Sequence, residues 1–135
     1  MAGSLTNAGE ALALNEVFRG TDDIYVGLST SPIYDTYGLA NIVEEDDPNY
    51  VREIINFSNP VNDDMGGYMI ENDILVEFPA YSEAADNEII YAFLTKEATA
   101  TTGDIIAYAD LGAGKLPSAG DKLFIPASGL VITIK

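Results

Sequence analysis

Ala119-Gly120-Asp121-Lys122-Leu123-Phe124-Ile125-Pro126-Ala127-Ser128-Gly129-Leu130-Val131-Ile132-Thr133-Ile134-Lys135 reads as turn, strand, kink, strand. Gly120-Asp121 opens it, and Leu123 and Ile125 alternate with outward positions as a strand facing a core does. Pro126 has no amide hydrogen for a ladder, so pairing must break there. Leu130, Ile132 and Ile134 then share one face, with Val131 and Thr133 on the other. Burying large aliphatics is worth about 1.5–3 kcal/mol each. This tail is therefore expected to be pinned in a sheet, with the rest of the fold organised around it.

Working outward, short strands separated by turn residues recur. Ile24–Ser29 places Ile24, Val26 and Leu28 on one face, and Val51–Phe57 carries Arg52, the only basic residue between Arg19 and Lys96. Ile74–Phe78 points Ile74, Val76 and Phe78 inward, and Pro79 ends it. Ile89–Thr95 is apolar on both faces, the mark of a central strand. Ile105–Ala109 is a further strand, and Gly112–Pro117 links it to the terminal pair as a turn. Asn59–Gly67 is turn chemistry, with Asn-Pro, Asn-Asp-Asp and Gly-Gly.

One helix is predicted, over Leu5–Arg19. Thr6 or Asn7 caps it, Glu10 lies in its first turn, Leu5, Ala8, Leu12 and Val17 make a patchy apolar stripe, and Gly20 stops it. The expectation is a mainly β chain: a single-domain antiparallel β-sandwich or barrel, jelly-roll-like, with one short N-terminal helix. Residues 1–20 form an N-terminal arm or helix, and residues 30–50 a long acidic loop.

Composition limits what this fold can do. With 135 residues and 47% apolar content, the chain holds a real core. It has neither cysteine nor histidine, which removes thiolates, disulfides, the usual general base and the commonest transition-metal ligand. Against 6 basic residues stand 22 acidic ones, a formal net charge of −16. Such a surface repels phosphate backbones and anionic headgroups, so neither nucleic acid nor membrane is an expected partner. Met1-Ala2-Gly3-Ser4 lacks the basic start of a signal peptide.

Candidate chemistry is thin. Glu44-Glu45-Asp46-Asp47 and Asn62-Asp63-Asp64 offer oxygen ligands for Ca²⁺, but neither has calcium-loop spacing, and a solvated loop is the preferred reading. Gly112-Ala113-Gly114-Lys115 lacks the full phosphate-loop pattern. Carboxylate pairs for hydrolysis can be drawn from 22 acids in too many ways to inform. Arg52 is expected to be a buried partner for one of these carboxylates. No enzyme, metal or cofactor is expected. Tyr34, Tyr37 and Tyr50 punctuate the 30–50 stretch, a composition that suits a contact surface.

Taken in order, the features resemble a family of small tailed-bacteriophage virion structural proteins. The residues that carry the resemblance are Leu5-Thr6-Asn7-Ala8 through Val17-Phe18-Arg19-Gly20-Thr21, then Ile24-Tyr25-Val26-Gly27-Leu28-Ser29-Thr30. Tyr50-Val51-Arg52, Val76-Glu77-Phe78-Pro79 and Gly103-Asp104-Ile105-Ile106-Ala107-Tyr108-Ala109-Asp110-Leu111 follow, and the quoted tail closes the set. The chain departs from the pattern in the acidic Asp35–Asn49 stretch, the Asn59–Gly67 loop, and Asn49, where Gly is usual.

Proteins of this kind are labelled tail-fibre-like, minor structural or capsid-associated. The resemblance implies a virion protein made in the host cytoplasm. The first expectation is a capsid decoration (cement) protein on the capsid surface, with the major capsid protein and itself, as a homotrimer, for partners. The alternative is a tail fibre, baseplate or minor tail protein in host adsorption, meeting tail proteins or a host surface glycan. Expected interface residues are Leu5, Leu12, Phe18, Tyr34, Tyr37 and Tyr50.

Overall fold

A computed structural model describes residue 1 and residues 3–134. Ala2, in the start read above, and Lys135, the last residue of the quoted stretch, lie outside the described residues. The chain is mainly β, with one N-terminal helix, α1 (Asn7–Phe18), and antiparallel sheets of four, three and two strands. None of them closes into a barrel, so that part of the expectation falls. The residues gather into two compact units: Met1–Asp23, Asn56–Val76 and Ile125–Lys135 form one, and Ile24–Ile55 with Glu77–Phe124 the other.

The first unit holds α1, β3 (Val61–Asn62), β4 (Tyr68–Glu71) and β9 (Val131–Ile134), in the sheet order β3-β4-β9. Thr6 is the N-cap, its hydroxyl accepting from the Gly9 amide at 3.1 Å, which satisfies an amide that no carbonyl can reach. The helix buries Glu10 and Leu14, one turn apart, while Leu5, Leu12 and Val17 stay exposed. The expected Leu5–Ala8–Leu12–Val17 stripe is thus the wrong face. A carboxylate sits on the inward one, and its Oε2 has no hydrogen-bond partner. At the other end, Arg19 donates to the Phe57 carbonyl at 3.1 Å.

The terminal strand is pinned as expected. Ile132 pairs with Ile70 and Ile134 with Tyr68, and Ile132 and Ile134 are half-buried where Val131 and Thr133 are exposed. Its entry is held by Asn72, which is fully buried. The Asn72 amide group donates to the Ile74 and Pro126 carbonyls, each at 2.9 Å, and its Oδ1 accepts from Leu130 at 2.8 Å. This sheet nevertheless is not the organising one, because the aliphatics of its terminal strand stay partly exposed and the larger sheet lies elsewhere. Asn59–Gly67 contains β3 as well as a turn, and β4 is a strand that the turn-rich surroundings of Tyr68 concealed.

The second unit carries the four-stranded sheet. Its order is β2 (Glu53–Ile55), β1 (Ile24–Ser29), β6 (Ile89–Thr95), β7 (Ala107–Lys115). Val26 faces Leu94 and Leu28 faces Ala92, all buried, while Gly27 and Phe93 occupy the opposite face. Burial on both faces is what the apolar run of β6 implied. Gly112–Lys115, expected as a turn, belongs to the β7 edge strand. Tyr91 faces Asp110 and Ile89 faces Lys115, so residues 111–114 bulge out opposite Ile90.

The strand expected over Ile74–Phe78 shrinks to β5 (Val76–Glu77), paired with β8 (Phe124–Ile125), and Ile74 is 62% exposed. The strand stops at Pro126, as its missing amide requires.

Candidate functional site

The stretch from Thr30 to Asn49, expected as an open acidic loop, is a structured cover on one face of the β1–β6–β7 sheet. Ile33, Leu39 and Phe93 form a buried cluster, with Tyr37, Ile42, Tyr91 and Ile105 packed against it. The cover is fastened at both ends by backbone bonds. Thr30 donates to the Val43 carbonyl at 2.8 Å and Glu45 to that of Leu28 at 3.0 Å, while Leu39 donates to that of Gly103 at 2.9 Å.

Glu44, Glu45 and Asp47 of its acidic run turn to partners, which corrects the solvated-loop reading for those three, while Asp46 stays exposed. Glu44 accepts from Arg52 Nε at 2.8 Å and Nη2 at 2.7 Å, and from the Tyr50 hydroxyl at 2.6 Å. Arg52 also donates to the Glu97 and Ala100 carbonyls and lies 5.7 Å from the Phe93 ring centre. It is the buried carboxylate partner anticipated from its isolation in the sequence. Burial and the Glu44 carboxylate push the Tyr50 phenol far above its ordinary range. Tyr81 is raised likewise by burial and by its 2.8 Å bond to Glu45.

Burial pulls Asp47 upward, yet amide and hydroxyl donors from Asn49, Ser82 and Glu83 outweigh it and hold the carboxyl below its usual range. A cleft of about 240 Å³ opens here, lined by Glu44, Glu45, Tyr50, Val51, Arg52, Ala98 and Thr99. The guanidinium on its wall is already committed to Glu44 and two carbonyls, so the arrangement clamps the cover and has no cation left to offer a reaction. Among the described residues no group of three or more His, Cys, Asp or Glu is placed to hold a metal ion. Asn62 and Asp63 instead accept from amides of Asp64, Met65 and Gly67 in the β3–β4 turn.

At the edge of the cover, tyrosines collect. Tyr34 packs edge-on against Tyr37 with ring centres 5.1 Å apart, and Tyr91 lies 6.1 Å from Tyr108. The Tyr108 hydroxyl donates to Asp35, and Asp110 stands opposite Tyr91 across the β6–β7 pair, its Oδ1 accepting from the Gly112 amide at 2.8 Å. Of the expected interface residues, Leu5, Leu12 and Tyr34 are exposed and Tyr37 is half-buried. Phe18 packs edge-on against Phe57, and Tyr50 stacks on Phe78 while its hydroxyl accepts from the Leu28 amide. Leu5, Leu12 and Phe18 fall in one unit and the three tyrosines in the other. Sequence reading passed over Tyr91, Tyr108, Asp35 and Asp110 as a group. Only the β6–β7 register brings Tyr91 and Asp110 face to face.

The Arg52–Glu44 ion pair and the Tyr50 and Tyr81 hydroxyls thus hold a loop to a sheet. Residues 4–133 match the family described as Podophage GP4 fiber I protein gp80, and the chain belongs to that family. It is a non-enzymatic structural protein of the phage virion, of the fibre type. No curated protein matches it. A fibre family favours the tail reading over head decoration, and gives no support to the major capsid protein as partner or to a homotrimer. Among the described residues no helix is long and apolar enough to cross a membrane.

Proposed function

We propose that this chain is a fibre-type component of the phage tail that takes part in host adsorption, with tail proteins and the host surface as its partners. The observation that carries the reading is the fibre-family match across residues 4–133. Leu5 just ahead of α1, Leu12 on it, and Tyr34 with Tyr37 on the cover serve as contacts, with Phe18 and Tyr50 supporting them from within. Labelling virions with gold-conjugated antibody against the chain tests this placement. Gold on the tail supports it, and gold spread over the head shell overturns it in favour of decoration. For the adsorption role, virions lacking the chain should attach to host cells more slowly. Attachment at the normal rate removes that part of the proposal.

A further inference from the structure

The tyrosine edge has a composition that selects one kind of ligand. Tyr34 is 57% and Tyr108 39% exposed, and Tyr91 and Tyr37 are half-buried beside them. Asp35 and Asp110 are exposed at the margins; Asp35 accepts from the Tyr108 hydroxyl, and Asp110 stands opposite Tyr91 and accepts from the Gly112 amide at 2.8 Å. A carboxylate has about four acceptor sites, so each keeps most of its capacity free. The charged groups that act on Tyr91 and Tyr108 are Asp110 and Asp35. The patch thus combines electron-rich ring faces with two carboxylates, and the Tyr108–Asp35 bond with the Tyr34–Tyr37 and Tyr91–Tyr108 ring contacts fixes the rings beforehand, which lowers the entropy lost on binding.

We infer that the Tyr34–Tyr37–Tyr91–Tyr108 patch, with Asp35 and Asp110, is a docking site for an arginine side chain on a basic segment of a partner protein. A guanidinium is planar, so it stacks on a phenol ring while its fork of donors reaches a carboxylate. A lysine ammonium offers neither the plane nor the fork. The chain's net charge of −16 adds long-range attraction for a basic surface. The same charge works against acidic glycans, and a neutral sugar gains nothing from it. Tyrosine and arginine are also the residues that concentrate binding energy at protein interfaces. This inference goes beyond the placement proposed above, because it concerns the chemistry of the surface wherever the chain sits.

The test is a nuclear magnetic resonance titration of the full chain with three probes: a capped Gly-Arg-Gly peptide, a capped Gly-Lys-Gly peptide and methyl β-glucoside. The arginine peptide should move the amide signals of Tyr34, Asp35, Tyr91, Tyr108 and Asp110 in a saturable way. Its affinity should exceed that of the lysine peptide and drop in high salt. The variant Tyr34→Ala/Asp110→Asn, altered at exposed positions, should keep the spectrum of a folded chain and lose about tenfold in affinity for the arginine peptide. A response no stronger than to lysine, a response to the glucoside alone, or no movement of these signals would overturn the assignment.

Discussion

The Phe93 ring rests directly on the backbone of Gly27: a Cβ at Gly27 would stand 2.3 Å from the ring Cζ and 2.8 Å from both Cε atoms. Phe93 is the centre of the cluster that the 30–50 cover closes over, and it is 1% exposed. Gly27→Ala should therefore cost about 3 kcal/mol, at the upper end of what overpacking produces. Urea denaturation measures it. Adding Phe93→Leu should restore part of the loss, since neighbours in contact are not additive; strictly additive costs would mean that the ring is not what the methyl meets.

Arg52→Ala should destabilise the chain by roughly 3–5 kcal/mol, because it leaves Glu44 facing the sheet without its cation. The guanidinium is 4% exposed and Glu44 23%, so water compensates poorly. Limited proteolysis reports the consequence directly: the variant should be cut first between Thr30 and Asn49, where the wild-type chain resists.

Asn72→Asp tests what holds the tail. Its two amide hydrogens point at the Ile74 and Pro126 carbonyls, and an oxygen there would face them as acceptor against acceptor. A loss of about 3 kcal/mol is expected, together with faster amide hydrogen exchange over residues 130–134. Unchanged protection of those amides would show that Asn72 is not the fastening.

The two faces of α1 should respond unequally. Leu14→Ala removes a fully buried side chain and should cost about 2–5 kcal/mol. Leu12→Ala, at a position 61% exposed, should change stability by less than about 0.5 kcal/mol. Glu10→Met replaces a buried carboxylate that has one unpaired oxygen and should raise the thermal midpoint.

Alkali should weaken the fold through Tyr50 and Tyr81. Both phenols are raised above their ordinary value of 10.0 in the folded chain. The folded state thus keeps protons that the unfolded state releases, and stability falls as pH climbs above that value, by up to about 1.4 kcal/mol per pH unit for each group. Below it the contribution is fully present. A double variant Tyr50→Phe/Tyr81→Phe should flatten the decline in a pH series of denaturation curves.

Much of this was legible in the sequence wherever a strand's pattern answers to its own neighbours. The alternation of Leu130, Ile132 and Ile134 announced the tail strand, the two-faced apolar run at Ile89–Thr95 announced the central one, and an arginine alone among acids announced an ion pair. What escaped depends on partners distant in the chain. Glu10 looks like a surface residue of a first turn, and only packing puts it inside. Glu44, Glu45 and Asp47 read as solvated charge because Arg52, Tyr81 and Ser82 lie 8, 36 and 35 residues away. The tyrosine edge needs a strand register, which no local pattern encodes.

The bulge of residues 111–114 opposite Ile90 bears on unwanted strand addition. An unbroken β7 rim would offer any strand that met it a ready template for continuing the ladder. With Gly112 in the left-handed region at φ 75°, the rim buckles where such pairing would begin. The exposed edge of the four-stranded sheet thus carries its own guard against being extended.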